Sequence, residues 1–430
     1  MSTPLKVAVA GLGNVGVGVV KILEQHKELI KERAGREIQI AAVSARSKTQ
    51  DRGIDLSPYA WVDNAADMAD IDDVDIVIEL IGGEDGIAYT LSQNTLKNVK
   101  SLVTANKAMV AHHGAVLADL AQNNGVALRY EAAVAGGIPI IKAIGEGLAA
   151  NELTQVYGIM NGTTNYMLTH MESRGLSYDE ILDEVTELGY LEADPALDLD
   201  GIDAAHKLAI LSSVAFGTKT DFKNVYIEGI RKIAGIDIDN AKEFGFRIKL
   251  LGMTKYENGT LSQRVHPVMI DRNLPIASVM DGFNALVVDG DYIDRTFYQG
   301  RGAGEGPTAS AVVADLIDIA RGHTGAAFYK PASTLVDAEP VSINQRKGEY
   351  YIRILANDET GVMADITSAL KASGVSIDQM KQKPAEVQGK VYVAIATHET
   401  TETALRDAIN RINELSVVLE PTMSIRIEKL

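Results

Sequence analysis

Six residues near the start, Gly11-Leu12-Gly13-Asn14-Val15-Gly16, constrain this chain more than any other feature. They follow an apolar strand pattern at Leu5–Ala10 and open a helical stretch. The glycines allow a tight turn and let the backbone approach a pyrophosphate, which rests on the N-terminus of the following helix. Alone, a GxGxxG spacing is a weak signal; between a strand and a helix it is a strong one for a dinucleotide. The bland alternative is a glycine-rich turn with no ligand. Further apolar runs at Ile38–Ser44, Val74–Ile81, Ser101–Thr104 and Val126–Glu131 alternate with helical stretches. That alternation predicts a parallel sheet covered on both faces.

Open parallel sheets bind ligands at the carboxyl ends of their strands. The second strand ends at Ser44 with no acid beside it, and Arg46 and Lys48 follow. A carboxylate there would hold the ribose hydroxyls of NAD, whereas a cation accommodates the 2′-phosphate of NADP. NADP is therefore favoured, with NAD as the alternative. A solvated basic loop is the competing reading. Thr104 and Lys107 occupy another strand end. A lysine directly after a buried strand is a candidate for the reaction centre or simply a surface residue.

Composition removes whole classes of chemistry. The chain has 430 residues, enough for about three domains. Its net charge of -17, from 58 acidic and 41 basic residues, argues against a nucleic-acid partner. Cysteine is absent, which excludes disulfides, thiolate catalysis and cysteine-ligated metals. The eight histidines form no His-x-x-x-His pair, which argues against a transition-metal site. No apolar run approaches the ~20 residues that span a bilayer. MSTPLKVAVAGLG runs directly into a strand pattern, so a cytoplasmic protein with no membrane association is expected.

The organisation expected is a dinucleotide-binding domain over residues 1–136 and an α+β domain over 137–304. Residues 305–330 return as a helix to complete the first domain, 331–349 form a linker crossed by few contacts, and 350–430 form a small separate domain. The last unit reads strand, helix, strand, strand, helix, strand, which gives a small sheet with two helices on one face. Within the middle region, the stretch from Gly189 to Lys207 concentrates carboxylates, among them Glu192, Asp198 and Asp203, beside one lysine. Asp203 and Lys207 stand four apart at the start of a helix and share a face. On spacing alone an exposed ion pair is favoured over a catalytic pair. His206 points about 100° away from Lys207 and is read as structural.

The strings TANKAMVA, YEAAVAGGIPI, GIMNGTTNYML, GYLEADPALDLDGIDAAHKLAIL and GRGAGEGPTASAVVADL resemble the homoserine dehydrogenase family in order and spacing. The last 80 residues resemble an ACT regulatory domain of ferredoxin-like fold, with Thr360 where the family turn often has proline. Without a kinase domain ahead of it, the chain resembles the monofunctional form, which implies that residues 137–304 are the catalytic and dimerisation domain and 350–430 the regulatory domain.

The resemblance implies interconversion of L-homoserine and L-aspartate 4-semialdehyde in threonine, methionine and isoleucine synthesis. It implies Lys207 as proton donor, Lys107 opposite it near the nicotinamide, and Glu192, Asp203 and Asp198 as substrate residues. It implies Gly11, Gly13, Asn14, Val15, Gly16, Arg46, Thr104, Lys107, Gly189, Glu305 and Gly306 as cofactor contacts. Glu131, Val134, Gly136 and Ile138 would hold a sodium-type monovalent cation, mostly through backbone carbonyls. Asn161-Gly162-Thr163-Thr164-Asn165 would be scaffold near the substrate loop. A homo-oligomer, dimer or tetramer, is implied, with L-threonine as effector; an ACT domain kept only for assembly is the alternative. 3-Phosphoglycerate dehydrogenase shares the two-module plan but carries its dinucleotide motif mid-chain. A non-catalytic sensor would be free to lose Lys107, Glu192, Asp203 and Lys207.

Overall fold

The computed structural model describes residues 3–191, 194–385 and 387–430. Its N-terminal part is a parallel sheet of β1 (Leu5–Ala10), β2 (Ile38–Ser44), β3 (Ala60–Trp61), β4 (Ile76–Glu79), β5 (Ser101–Thr104) and β6 (Leu128–Arg129). The spatial order is β3-β2-β1-β4-β5-β6, and every pairing is parallel. The connections carry α1 (Asn14–Gln25), α2 (Lys27–Ala34), α3 (Ile87–Lys97) and α4 (Lys107–Asn123). β4 and β5 are buried along their whole length, since helices cover both faces, and their centres, Ile76–Ile78 and Leu102-Val103, are apolar without alternation. The strand order reverses between β1 and β4, which opens a crevice at their carboxyl ends. The strand expected over Val126–Glu131 is only two residues long, because the chain turns into a 3-10 turn at Glu131–Ala133.

The chain then runs through α5 (Ile140–Lys142), β7 (Leu153–Ile159), α6 (Gly162–Arg174), α7 (Tyr178–Glu187), α8 (Pro195–Leu199), α9 (Ile202–Phe216), β8 (Tyr226–Ile227) and α10 (Gly235–Glu243). Strands β9 (Phe246–Glu257), β10 (Thr260–Asp271), β11 (Phe283–Gly290) and β12 (Asp294–Arg301) follow, and then α11 (Glu305–Ala320). α11 returns to the first layer and packs on α1. A Cβ on Gly18 would lie 2.8 Å from the Glu305 side chain, so glycine lets the two helices touch.

The C-terminal unit is β14 (Lys347–Asn357), α12 (Val362–Ala372), β15 (Ile377–Pro384), β16 (Lys390–Thr397), α13 (Glu402–Asn413) and β18 (Met423–Glu428). Two short strands, β13 (Glu339–Pro340) and β17 (Thr400–Thr401), flank this plan. The unit is not a bead on a string. β18 lies between β14 and β10, so one mixed sheet of twelve strands runs from the catalytic region into the C-terminal unit. The expectation that few contacts cross residues 331–349 fails for the same reason. β13 pairs with β10, and Val336 exchanges backbone hydrogen bonds with Gly217 and Lys219. No helix among the described residues is long and apolar enough to cross a membrane.

Candidate active site

The nucleotide end is built from backbone. Gly11 has φ +103°, and a Cβ there would lie 2.5 Å from the Leu80 carbonyl oxygen; on Gly16 it would lie 2.0 Å from the Gly11 carbonyl oxygen. The turn can close only with glycine at both places. Around Gly13, by contrast, a Cβ would meet nothing within 4 Å, and no side chain caps α1. The helix thus presents its first N–H groups to open space, the arrangement that receives a phosphate. Arg52, which sequence reasoning missed, ties this turn to the loop after β2. Its guanidinium donates to the carbonyls of Leu12 (3.2 Å), Gln50 (2.9 Å) and Ser47 (2.7 Å). Arg46 stands exposed beyond β2.

Beside that turn, a buried carboxylate fixes two loops at once. Glu79 ends β4, and its carboxyl accepts from the N–H groups of Ile81 and Gly82 and from the Thr104 hydroxyl at 2.6 Å. Burial pushes its carboxyl above the usual range. Thr104 therefore turns its hydroxyl inward. Asn106 donates to the Gly83 carbonyl (2.6 Å) and accepts from the Met109 N–H (3.1 Å), which caps α4 and puts Lys107 at its first turn.

Lys107 faces Lys207 across Asp203. One Asp203 oxygen lies 2.9 Å from the Lys107 ammonium and the other 2.7 Å from that of Lys207. Lys207, 7% exposed, also donates to the Met160 carbonyl at 2.8 Å. Burial works against charge on Asp203, but the two ammonium groups outweigh it and hold its carboxyl well below the usual carboxylate range. The exposed ion pair considered from spacing is therefore a buried triad. Asn161 organises it further. Its amide donates to Asp198 (2.6 Å) and to Asp203 (2.9 Å), while its oxygen caps α6 at the Thr164 N–H. The Asn161 segment is more than scaffold near the loop.

These groups line a cavity of about 580 Å³ whose wall also holds Gly189, Asn284 and Pro307. Asn284 is 1% exposed, and neither of its amide atoms has a hydrogen-bond partner among the described residues. A buried amide without partners is costly unless a ligand meets it. No spacing signal marked it. Glu305 and Gly306 open α11 beside α1, with Glu305 paired to Lys21 at 2.7 Å. Glu192 lies outside the described residues.

His206 is set apart from this centre. It stacks on Phe222 (centroids 4.3 Å), and burial followed by His112 pushes its pKa down to about 4. It is neutral near pH 7 and a poor rival to Lys207 as acid.

The segment after Glu131 bends sharply, with Ala135 at φ +51°. The Glu131 carboxylate accepts the N–H groups of Ile141 (3.0 Å) and Lys142 (2.9 Å). Burial and the neighbouring Asp315 push its pKa up to about 8. With the carboxylate so occupied, a cation at Glu131, Val134, Gly136 and Ile138 would depend on backbone carbonyls, which suits a hard monovalent ion.

Comparison with known proteins matches residues 11–131 to the NAD binding domain of homoserine dehydrogenase, 139–317 to homoserine dehydrogenase and 350–417 to the ACT domain. A homoserine dehydrogenase of Pseudomonas aeruginosa is 42% identical over 99% of both chains. The chain belongs to the homoserine dehydrogenase family. The Bacillus subtilis member is 35% identical over 99% of this chain and 98% of its own. The crystal structure of a homoserine dehydrogenase from Thiobacillus denitrificans superposes with a TM-score of 0.92 at 41% identity, covering 99% and 98% of the two chains. The chain is accordingly an oxidoreductase of this family, with a Rossmann-type domain for a nicotinamide dinucleotide, a catalytic domain and an ACT domain.

Proposed function

We propose that the chain interconverts L-homoserine and L-aspartate 4-semialdehyde, with Lys207 as the proton donor in reduction. The observation that carries the reading is the convergence of two lysine ammonium groups on one buried carboxylate in the cavity wall. A bound nicotinamide supplies the hydride. The open α1 N-terminus with Gly11, Gly13, Asn14, Val15 and Gly16 suits its pyrophosphate, and Glu305 and Gly306 on α11 and Gly189 in the cavity wall are further contacts.

As the aldehyde carbon is reduced, negative charge develops on its oxygen. Lys107 and Lys207 stabilise that charge, and Lys207 delivers the proton that completes the hydroxyl. Both Asp203 oxygens already face lysines, so its part is to hold the two ammonium groups together. The substrate's own ammonium then falls to Asp198 and, by resemblance, Glu192. The Asn284 amide suits its carboxylate.

NADP over NAD is supported by Arg46 at the β2 end, and a sodium-type cation by the carbonyl bend at Glu131–Ile138. L-Threonine as inhibitor is supported by the ACT fold and its exposed Asn357–Gly361 loop, and a homo-oligomer by the two open edges of the mixed sheet, β12 and β15. A cytoplasmic location fits the biosynthetic chemistry. The test is NADPH oxidation with L-aspartate 4-semialdehyde, repeated with NADH. Turnover with NADPH, faster than with NADH, is expected; no turnover with either would refute the reading. Millimolar L-threonine should slow the full chain, and Asp358→Ala should relieve that inhibition without changing the uninhibited rate.

A further inference from the structure

We propose that Glu84, His112 and His206 form a binding site for a zinc-type transition-metal dication at the seam between the nucleotide layer and the catalytic layer. The three residues come from separate elements. Glu84 follows the Gly82-Gly83 turn after β4, His112 sits on α4, and His206 sits on α9, which packs against α4. One ligand atom of each lies within 4.8 Å of the other two. The His112 Nε2 is 3.1 Å from a Glu84 oxygen. The imidazole centroids are 5.5 Å apart, and both rings lie against Phe222, at 4.7 Å for His112 and 4.3 Å for His206. That aromatic wall limits the tilt of both ligands. The separation of 94 residues (206 − 112) explains why no spacing motif betrayed the pair.

Two imidazoles and a carboxylate suit zinc, cobalt or nickel, and three protein ligands leave a fourth position for water. Calcium and magnesium prefer all-oxygen sets and are disfavoured here. Tetrahedral bonds of about 2.1 Å put ligand atoms about 3.4 Å apart, so the residues must draw together on binding. The two that have room to move are the outer ones, since the Glu84 side chain is 52% exposed and that of His112 is 31% exposed. His206, buried, is the fixed anchor. A second cavity of about 580 Å³, with His112 and Phe222 in its wall, offers a route in. Lys107 and Lys207 oppose a cation at His206, and Asp203 offsets part of that repulsion.

The consequence is mechanical. α4 carries Lys107 and α9 carries Lys207, so a metal bridging His112 and His206 cross-links the two helices that bear the proposed reacting lysines. Bound metal is expected to slow turnover by holding their separation fixed.

The experiment titrates the full-length chain with ZnCl2 by calorimetry, with CoCl2 absorption as a report on coordination geometry. One ion per chain with micromolar affinity is expected, together with a tetrahedral cobalt spectrum and inhibition reversed by chelator. His112→Ala and Glu84→Gln, at partly exposed positions, should each weaken binding by at least about tenfold while leaving the metal-free rate within about twofold. Absence of binding up to millimolar zinc, or equal affinity in both variants and the parent, would overturn the proposal.

Discussion

The parallel sheet and the mixed sheet place their polar groups by opposite means. At the carboxyl ends of β1, β4 and β5 the useful groups are backbone: glycines that let turns close, an uncapped helix start, and one buried carboxylate, Glu79, bonded to its own loop. All of it comes from the strand ends of one sheet, where Gly11 meets Leu80 and Glu79 meets Thr104. The mixed sheet instead joins strands from β7 to β18 and pairs charges within its interior. Arg426 on β18 reaches Glu402 on α13 and, at 2.8 Å, Glu228 beside β8; Arg353 on β14 reaches Asp237 on α10, also at 2.8 Å. The nucleotide crevice is thus built at the carboxyl edge of its own sheet, whereas the catalytic and C-terminal regions share one sheet.

That contrast can be broken most severely by cutting the chain after Ser342. If the mixed sheet is continuous, removing β18 strips β10 of a neighbour along Val268–Ile270 and leaves Asp237 buried without Arg353. The truncated chain should be recovered aggregated or without a cooperative thermal transition. A soluble, fully active fragment would mean that the two regions are independent after all. Next in size, Arg426→Met removes the nearer of two cations from Glu402, whose side chain is 4% exposed, leaving Arg406 at 3.7 Å, and should cost about 3 kcal/mol in denaturant unfolding. A loss under about 1 kcal/mol would reduce this bridge to decoration.

Asp203→Asn sharpens the picture at the meeting point of the two sheets. With the counter-charge gone from between Lys107 and Lys207, kcat should fall on the order of 10²-fold, with NADPH affinity nearly unchanged. Unchanged kcat would leave the triad without a catalytic part. The smallest effect belongs to the parallel sheet. Arg46→Asp should raise the KM for NADPH by about tenfold and that for NADH by much less. Equal changes would separate Arg46 from the 2′-phosphate.

What could be read in advance follows the same division. Gly11, Gly13 and Gly16 announced their turn because the spacing lies within six adjacent residues, while the approach of Leu80 to Gly11 left no sign in it. The helix position of Asp203 and Lys207 was legible from an i, i+4 step, but their burial was not, since it depends on Asn161, Met160 and Lys107 from distant elements. Asn284 and Arg52 carry no spacing signal: Arg52 matters through the carbonyls of Leu12, Ser47 and Gln50, and Asn284 through its place in the cavity wall. The continuity of β10 with β18 was hidden because residues 331–349 lack periodicity, and pairing at β13 uses backbone rather than side-chain pattern.

The central claim is that Lys207, held by Asp203 opposite Lys107, supplies the proton. Its most direct test is the turnover of Lys207→Ala at saturating NADPH and L-aspartate 4-semialdehyde, with NADPH binding measured separately. The kcat should fall by on the order of 10²–10⁴-fold while NADPH binding stays nearly intact. Turnover within a few-fold of the parent would contradict it and give the proton to Lys107 or to water.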